Sequence, residues 1–222
     1  MCVFNACGES DNRISEGKII YDIEYPEVEN SLLKALMPKT MTFYFRDDVF
    51  CSELSSGANQ FVMKFIADSD DKELTQSLKI GTKKLIATIE KNEMDEVNRN
   101  EYGIVNITYS NETKVIAGIH CKKAVIIFND HNNSMENVVY YTEEFNFKDP
   151  NWSLPFQKIE GIPLEYELKR MGVKMKFTAS SFEQIEVTDE MLSSPENYKS
   201  VPYASIEEEI KSLVENITDF EL

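Results

Sequence analysis

The sequence predicts a mainly β (α+β) fold: a strongly curved antiparallel sheet or half-barrel of about ten strands, with a few short helices covering the concave side. Short segments in which apolar and polar residues alternate recur along the chain, and brief turns rather than long helices join them. The 13 Phe and 10 Tyr, against one Trp, suit pleated surfaces. A sheet of this many twisted strands curls, and a helix can then cover its hollow.

The strand-like segments share a period of two residues, and turn residues bound them. In chain order they are 17–25, 40–46, 49–54, 60–68, 78–80, 84–90, 104–110, 114–116, 122–128, 137–142, 162–170 and 173–187.

Helices are predicted near both ends of the chain. Asn30 precedes a short amphipathic helix at 32–37, and Pro38 ends it. A closing helix is predicted at 205–217, with Ser205 and Glu208 at the capping-box spacing. Residues 92–100 are strongly polar and form either a turn of helix or an open loop.

Length and charge limit the classes of function. The 222 residues suit one large β domain or two small ones, and no domain boundary is evident. The formal net charge is −16, from 39 acidic and 23 basic residues, and it repels phosphate backbones. We therefore expect no nucleic-acid partner. The second half of the chain has no apolar run long enough to span a bilayer.

The N-terminus carries a candidate localisation signal. Phe4-Asn5-Ala6-Cys7 resembles a lipobox, in which a small residue precedes the cysteine that becomes lipid-modified. We expect residues 1–16 to be the remnant of a lipoprotein signal and a polar tether, and residues 17–222 to be a single domain. The positive start and apolar stretch of a secretory signal are missing, so either Met1 lies inside a longer reading frame or the resemblance is chance. The first alternative places the protein in the envelope of a Gram-negative bacterium, periplasmic or outer-membrane, anchored through Cys7.

Two further cysteines, Cys51 and Cys121, each lie in a predicted strand. In an oxidising compartment they can pair across strands or sheets. The alternative is two buried free thiols, since burial alone explains a cysteine in a strand.

Familiar catalytic patterns are missing from the sequence. There is no G-x-S-x-G nucleophile elbow, the eight Gly do not cluster into a phosphate loop, and the two His lie far from ligand spacing. We therefore predict a protein that is not an enzyme, with no catalytic residues, no metal site and no cofactor.

Two stretches resemble a known group of proteins. The segment 113–124 (TKVIAGIHCKKA) resembles the T-K-x-I-x-G-x-x-C-x-K-A strand-turn-strand of the GLPGLI and related uncharacterised bacterial envelope families. The segments 141–144 (YTEE) and 159–165 (IEGIPLE) are similar to their Y-T … G-L-P-G-L-I-L stretch, with Leu164 and Glu165 standing where those proteins have Gly and Leu. The resemblance implies a LolA/LolB-like lipoprotein-carrier fold over 17–222, with an open apolar cavity.

Two hypotheses of function follow. In the first, the protein is a lipoprotein that binds a lipid, a lipoprotein acyl chain or another hydrophobic ligand on the apolar face of its central strands. The candidate lining is Phe43, Phe45, Phe61, Met63, Phe65, Met175 and Phe177. These residues equally suit a filled core, and periodicity does not separate the two. In the second, a sheet edge or the acidic face docks another envelope component.

Overall fold

Twelve strands join one sheet, accompanied by three helices, in the part of the chain that the computed structural model describes, residues 13–130 and 133–219. The elements are β1 (Glu16–Glu24), α1 (Ser31–Leu36), β2 (Thr40–Arg46), β3 (Val49–Ser56), β4 (Phe61–Asp68), β5 (Glu73–Ile80), β6 (Lys83–Glu90), α2 (Lys91–Tyr102), β7 (Ile104–Ile116), β8 (Ile119–Asp130), β9 (Asn133–Thr142), β10 (Ile162–Arg170), β11 (Val173–Glu183), β12 (Lys199–Ser200) and α3 (Tyr203–Asp219).

The strand order is β12-β6-β5-β4-β3-β2-β1-β11-β10-β9-β8-β7. Neighbouring strands are antiparallel, except that the two-residue β12 lies parallel to β6. The predicted β-rich fold is confirmed. Across the described residues, the sheet has twelve strands rather than about ten, is mixed rather than wholly antiparallel, and is not closed into a barrel.

The connection between β6 and β7 requires strong curvature of the sheet. These strands are ten neighbours apart in the strand order, which corresponds to about 48 Å in a flat sheet. They are joined directly by α2, whose 12 residues reach only about 18 Å. The sheet therefore curls until α2 spans the opening between its two ends, and one face becomes concave.

Several predicted elements are found where the sequence places them. Strand β2 has the predicted bounds, and β10 does as well. Asn30 caps α1, because its Oδ1 accepts a hydrogen bond from the Leu33 N–H at 2.6 Å. The polar segment after β6 is a helix of three turns, α2, rather than an open loop.

Other elements differ from the predictions. Strand β5 begins at Glu73 and not at 78, and β7 is one strand of 13 residues with a register shift between Ser110 and Thr113. Helix α3 begins at Tyr203, so Ser205 lies inside the helix and the capping-box prediction is wrong. Pro202 directly precedes the helix, and its carbonyl accepts the Ser205 N–H at 3.0 Å, so the first turn closes at Pro202.

The irregular segment 143–161 packs against the concave side of the sheet. It contributes five buried apolar side chains to the main hydrophobic cluster: Phe145, Phe147, Trp152, Phe156 and Ile159. The segment 143–161 is therefore part of the core. The N-terminal side joins it too, since Asn146 donates its N–H to the Ile14 carbonyl at 2.8 Å.

The segment 184–198 crosses the convex side of the sheet from β11 to β12. The Arg46 guanidinium donates to the Val187 carbonyl at 2.6 Å, and the Lys64 ammonium donates to the Ser193 carbonyl at 2.7 Å. Helix α3 then returns to the concave side, where Ile206 and Ile210 pack against residues of β5 and β6 in a second apolar cluster.

Candidate functional site

A pocket of about 170 Å³ lies on the concave side of the sheet. Its floor comes from β1–β5, β10 and β11, and α2, α3 and the segment 143–161 complete its walls. Most of the lining side chains are apolar, with Met and Phe prominent among them. Flexible thioethers and aromatic rings make a wall that adapts to apolar ligands of different shape.

Five of the seven predicted lining residues line this pocket: Phe43, Met63, Phe65, Met175 and Phe177. They come from β2, β4 and β11, and the period of two residues places them all on the concave face.

The other two predicted lining residues, Phe45 and Phe61, do not line this pocket. Phe45 is fully buried and packs edge-on against Phe145, with ring centroids 5.0 Å apart, so the segment 143–161 covers it. Phe61 packs against the second apolar cluster, beside α3. Phe45 therefore belongs to the filled core, and Phe61 is partly buried at the second cluster.

A group of aromatic rings forms one wall of the pocket. Tyr166 and Phe177 stack with centroids 4.8 Å apart, and Tyr21 meets Tyr166 edge-on at 6.1 Å. The Tyr21 hydroxyl donates to the Pro163 carbonyl at 2.9 Å. Burial raises the pKa of both Tyr21 and Tyr166 well above the ordinary value, so these phenols are uncharged at neutral pH.

Two polar residues in the pocket floor escaped the sequence prediction. In the ladder across the sheet, Ser52 of β3 pairs with Phe65 of β4, which pairs with Gln76 of β5. Gln76 is 2% exposed and its Oε1 has no hydrogen-bond partner among the described residues. Its side-chain nitrogen lies 3.2 Å from the Met63 sulfur, a weak acceptor. The polar run Thr75-Gln76-Ser77 hid the start of β5 from the sequence analysis. The one sequence signal is that Gln76 lies two residues from both Leu74 and Leu78, which places all three on the same face of the strand.

A charge cluster lies at another part of the pocket wall, where α2, α3 and the β10–β11 hairpin meet. The Arg170 guanidinium lies 2.9 Å from a carboxylate oxygen of Glu207 and 3.5 Å from one of Glu101. The Tyr203 hydroxyl accepts a further hydrogen bond from Arg170 at 2.9 Å. Burial raises the pKa of Glu101, and Arg170 and the Met171 N–H oppose this shift. Arg170 therefore has two carboxylate partners within the protein.

The structure gives Cys51 and Cys121 as free buried thiols, and they do not form the disulfide that was one of the two alternatives. Cys121 belongs to the main apolar cluster on the concave side. Cys51 alternates with Phe50 and Ser52, which face the pocket, so its side chain points to the convex side. Thiols on opposite faces of a sheet do not reach each other.

A second depression lies at the end of β1, lined by Ile23, Glu24, Tyr25, Pro26, Lys34 and Lys39. Its volume, about 280 Å³, exceeds that of the concave pocket. It is nevertheless a surface groove, since Glu24, Pro26, Lys34 and Lys39 are exposed. The concave pocket is less open and mostly apolar, so it is the better candidate site.

The predicted lipidation site, Cys7, lies outside the described residues. Across 13–130 and 133–219, no helix is long and apolar enough to cross a membrane. Within the same ranges, the structure has no group of three or more His, Cys, Asp or Glu side chains that could hold a metal ion.

Comparison with known proteins gives distant similarities to solved structures. The sequence matches none of the known protein-family models and no curated protein. Among solved structures, the chain is similar to a β-barrel-like protein of the domain of unknown function DUF1849 from Brucella abortus. The TM-score is 0.36 and the sequence identity 9%, over 78% of this chain and 99% of the other. The resemblance to the GLPGLI families and the LolA/LolB-like fold therefore stays a prediction.

Proposed function

We propose that this protein is a non-enzymatic binding protein of the bacterial envelope, and that its concave pocket holds a small apolar ligand or the end of one acyl chain. The single observation that carries the proposal is the mostly apolar pocket under α2 and α3. The lining residues Met41, Met63, Met94 and Met175 supply adaptable contacts from three strands and a helix.

The size of the pocket limits the ligand. About 170 Å³ is slightly more than the roughly 150 Å³ of an engineered cavity that binds benzene. Pockets for drug-sized molecules have about 300–1,000 Å³. The pocket in this conformation therefore suits one aromatic ring or a short stretch of one acyl chain, and it is too small for a complete two-chain lipid.

The experiment compares two matched variants. The purified chain is titrated with ethylbenzene, an uncharged probe with one ring, by solution NMR, and co-purified ligand is sought by native mass spectrometry. Phe65→Asp places a carboxylate in the pocket floor and should abolish ethylbenzene binding. Phe61→Asp makes the same change on the same strand, outside the pocket, and should leave ethylbenzene binding intact.

Circular dichroism establishes that both variants fold. Equal loss of binding in both variants, or no ethylbenzene binding and no co-purified ligand in the unaltered protein, contradicts the proposal. Docking of another envelope component through a sheet edge would then be the favoured function. It rests on β7, an edge strand of 13 residues with Ile104 and Val115 exposed.

A further inference from the structure

The polar residues of the pocket floor constrain the chemistry of the ligand. We infer that the pocket selects an apolar ligand carrying one uncharged hydrogen-bonding group, such as a hydroxyl, over a carboxylate on the same apolar body. This inference rests on the proposed function, since it specifies what the same pocket takes.

The first observation is the unsatisfied amide of Gln76. A buried polar atom without a hydrogen bond is costly, and such atoms are rare in folded proteins. The Oε1 of Gln76 lacks a partner among the described residues, and the amide nitrogen has only a thioether sulfur. Because the terminal torsion of Gln is broad, the amide can turn either its acceptor or its donor toward a ligand.

The second observation is the position of Gln76 in the floor. Gln76 and Ser52 flank Phe65 in one row across the sheet, about 10 Å apart at the backbone by the usual strand spacing. Both line the pocket. Two uncharged polar groups in an apolar floor match a ligand with an apolar body and an uncharged polar end.

The third observation is the charge of the wall. Of the described lining residues, Arg170 is the one cation and Glu207 the one anion. Arg170 is already paired with Glu207 and Glu101, so this cluster offers no free cation. A ligand carboxylate would lose its hydration without a compensating partner.

The test uses three probes with one apolar body, titrated by solution NMR at pH 8: 4-ethylphenol, ethylbenzene and 4-ethylbenzoate. The unaltered chain should bind 4-ethylphenol about five-fold tighter than ethylbenzene, as expected for one net hydrogen bond. Binding of 4-ethylbenzoate should be the weakest of the three.

Gln76→Leu should bind 4-ethylphenol and ethylbenzene equally, because it removes the amide and keeps the apolar volume. The exposed Gln60→Leu is the matched control and should keep the preference. Circular dichroism confirms folding, and the order of the three probes on the unaltered chain tests the inference without any variant.

Equal binding of 4-ethylphenol and ethylbenzene to the unaltered chain overturns the inference and leaves the proposed function standing. If Gln76→Leu still prefers 4-ethylphenol to ethylbenzene, the inference also fails. It fails as well if 4-ethylbenzoate binds as tightly as 4-ethylphenol, and in both cases the proposed function stands. If none of the three probes binds, the proposed function fails and the inference fails with it.

Discussion

Gly161 lies at the junction between the segment 143–161 and β10, and its replacement by alanine should destabilise the protein strongly. The backbone φ of Gly161 is +149°, a conformation that residues with a side chain rarely adopt. A Cβ at this position would lie 2.3 Å from the Thr142 carbonyl oxygen and 2.9 Å from its carbon. Both are backbone atoms of the paired strand β9, so the neighbour cannot move aside as a flexible side chain would.

The expected loss follows from two costs. A residue held in a disfavoured backbone conformation costs about 1–3 kcal/mol. Overpacking by one methyl group in a tight site costs about 1–3 kcal/mol more. We therefore expect Gly161→Ala to lower the free energy of unfolding by about 4 kcal/mol. For a chain of this length that corresponds to a fall in Tm of about 8–16 °C.

The assay is urea unfolding followed by circular dichroism, with Gly81→Ala as the matched control. Gly81 also has a positive φ, +57°, but a Cβ there would meet no heavy atom within 4 Å. The control should lose only the backbone cost, about 1–2 kcal/mol. If Gly161→Ala loses no more than Gly81→Ala, the close approach to Thr142 does not constrain this position.

Three further predictions concern the thiols, the covering segment and the N-terminus. Burial raises the pKa of Cys51 to about 12 and that of Cys121 to about 11, so both thiols stay protonated at pH 8. With Cys2 and Cys7 replaced by serine, Ellman's reagent at pH 8 should detect no thiol in the folded protein and two thiols after unfolding. A thiol that reacts rapidly in the folded protein would contradict the burial of Cys51 and Cys121. Trp152→Ala should lower the free energy of unfolding by about 3–5 kcal/mol in urea titrations, because Trp152 is almost fully buried in the main cluster. A loss below about 1 kcal/mol would show that the segment 143–161 is not part of the core. When the protein is expressed from its full reading frame in a Gram-negative host, intact-mass analysis should show lipid on Cys7. Cys7→Ser should move the protein to the soluble fraction. Upstream codons that encode no charged segment followed by an apolar one would contradict the hypothesis of a lipid anchor.

Local patterns were sufficient for the β-rich class and for most elements. The alternation of Ile19, Tyr21 and Ile23 predicts β1, and Asn30 predicts the start of α1. These features depend on side-chain period and on one capping hydrogen bond, and both are properties of a few neighbouring residues. Where neighbouring residues gave no clear period, as in Thr75-Gln76-Ser77, the prediction of β5 began too late.

The pocket was predictable only in part, for a physical reason. The period of two residues assigns Phe43, Phe45, Phe61, Met63 and Phe65 to one face, since it depends only on alternation along a strand. The period does not determine which residues pack against each ring. The structure covers Phe45 with Phe145 and Phe61 with α3, and it leaves the other three facing the pocket.

The sequence by itself determined a β-rich fold, its acidic charge and the apolar face that bears the pocket. Only the tertiary structure decided that the sheet curls until α2 spans its opening, that the segment 143–161 fills part of the hollow, and that Gln76 meets no hydrogen-bond partner there among the described residues. The first group of properties depends on composition and on residues close in the chain. The second depends on contacts between residues far apart in sequence, such as Cys121 near Tyr21 or Arg170 between Glu101 and Glu207, which only the folded chain brings together.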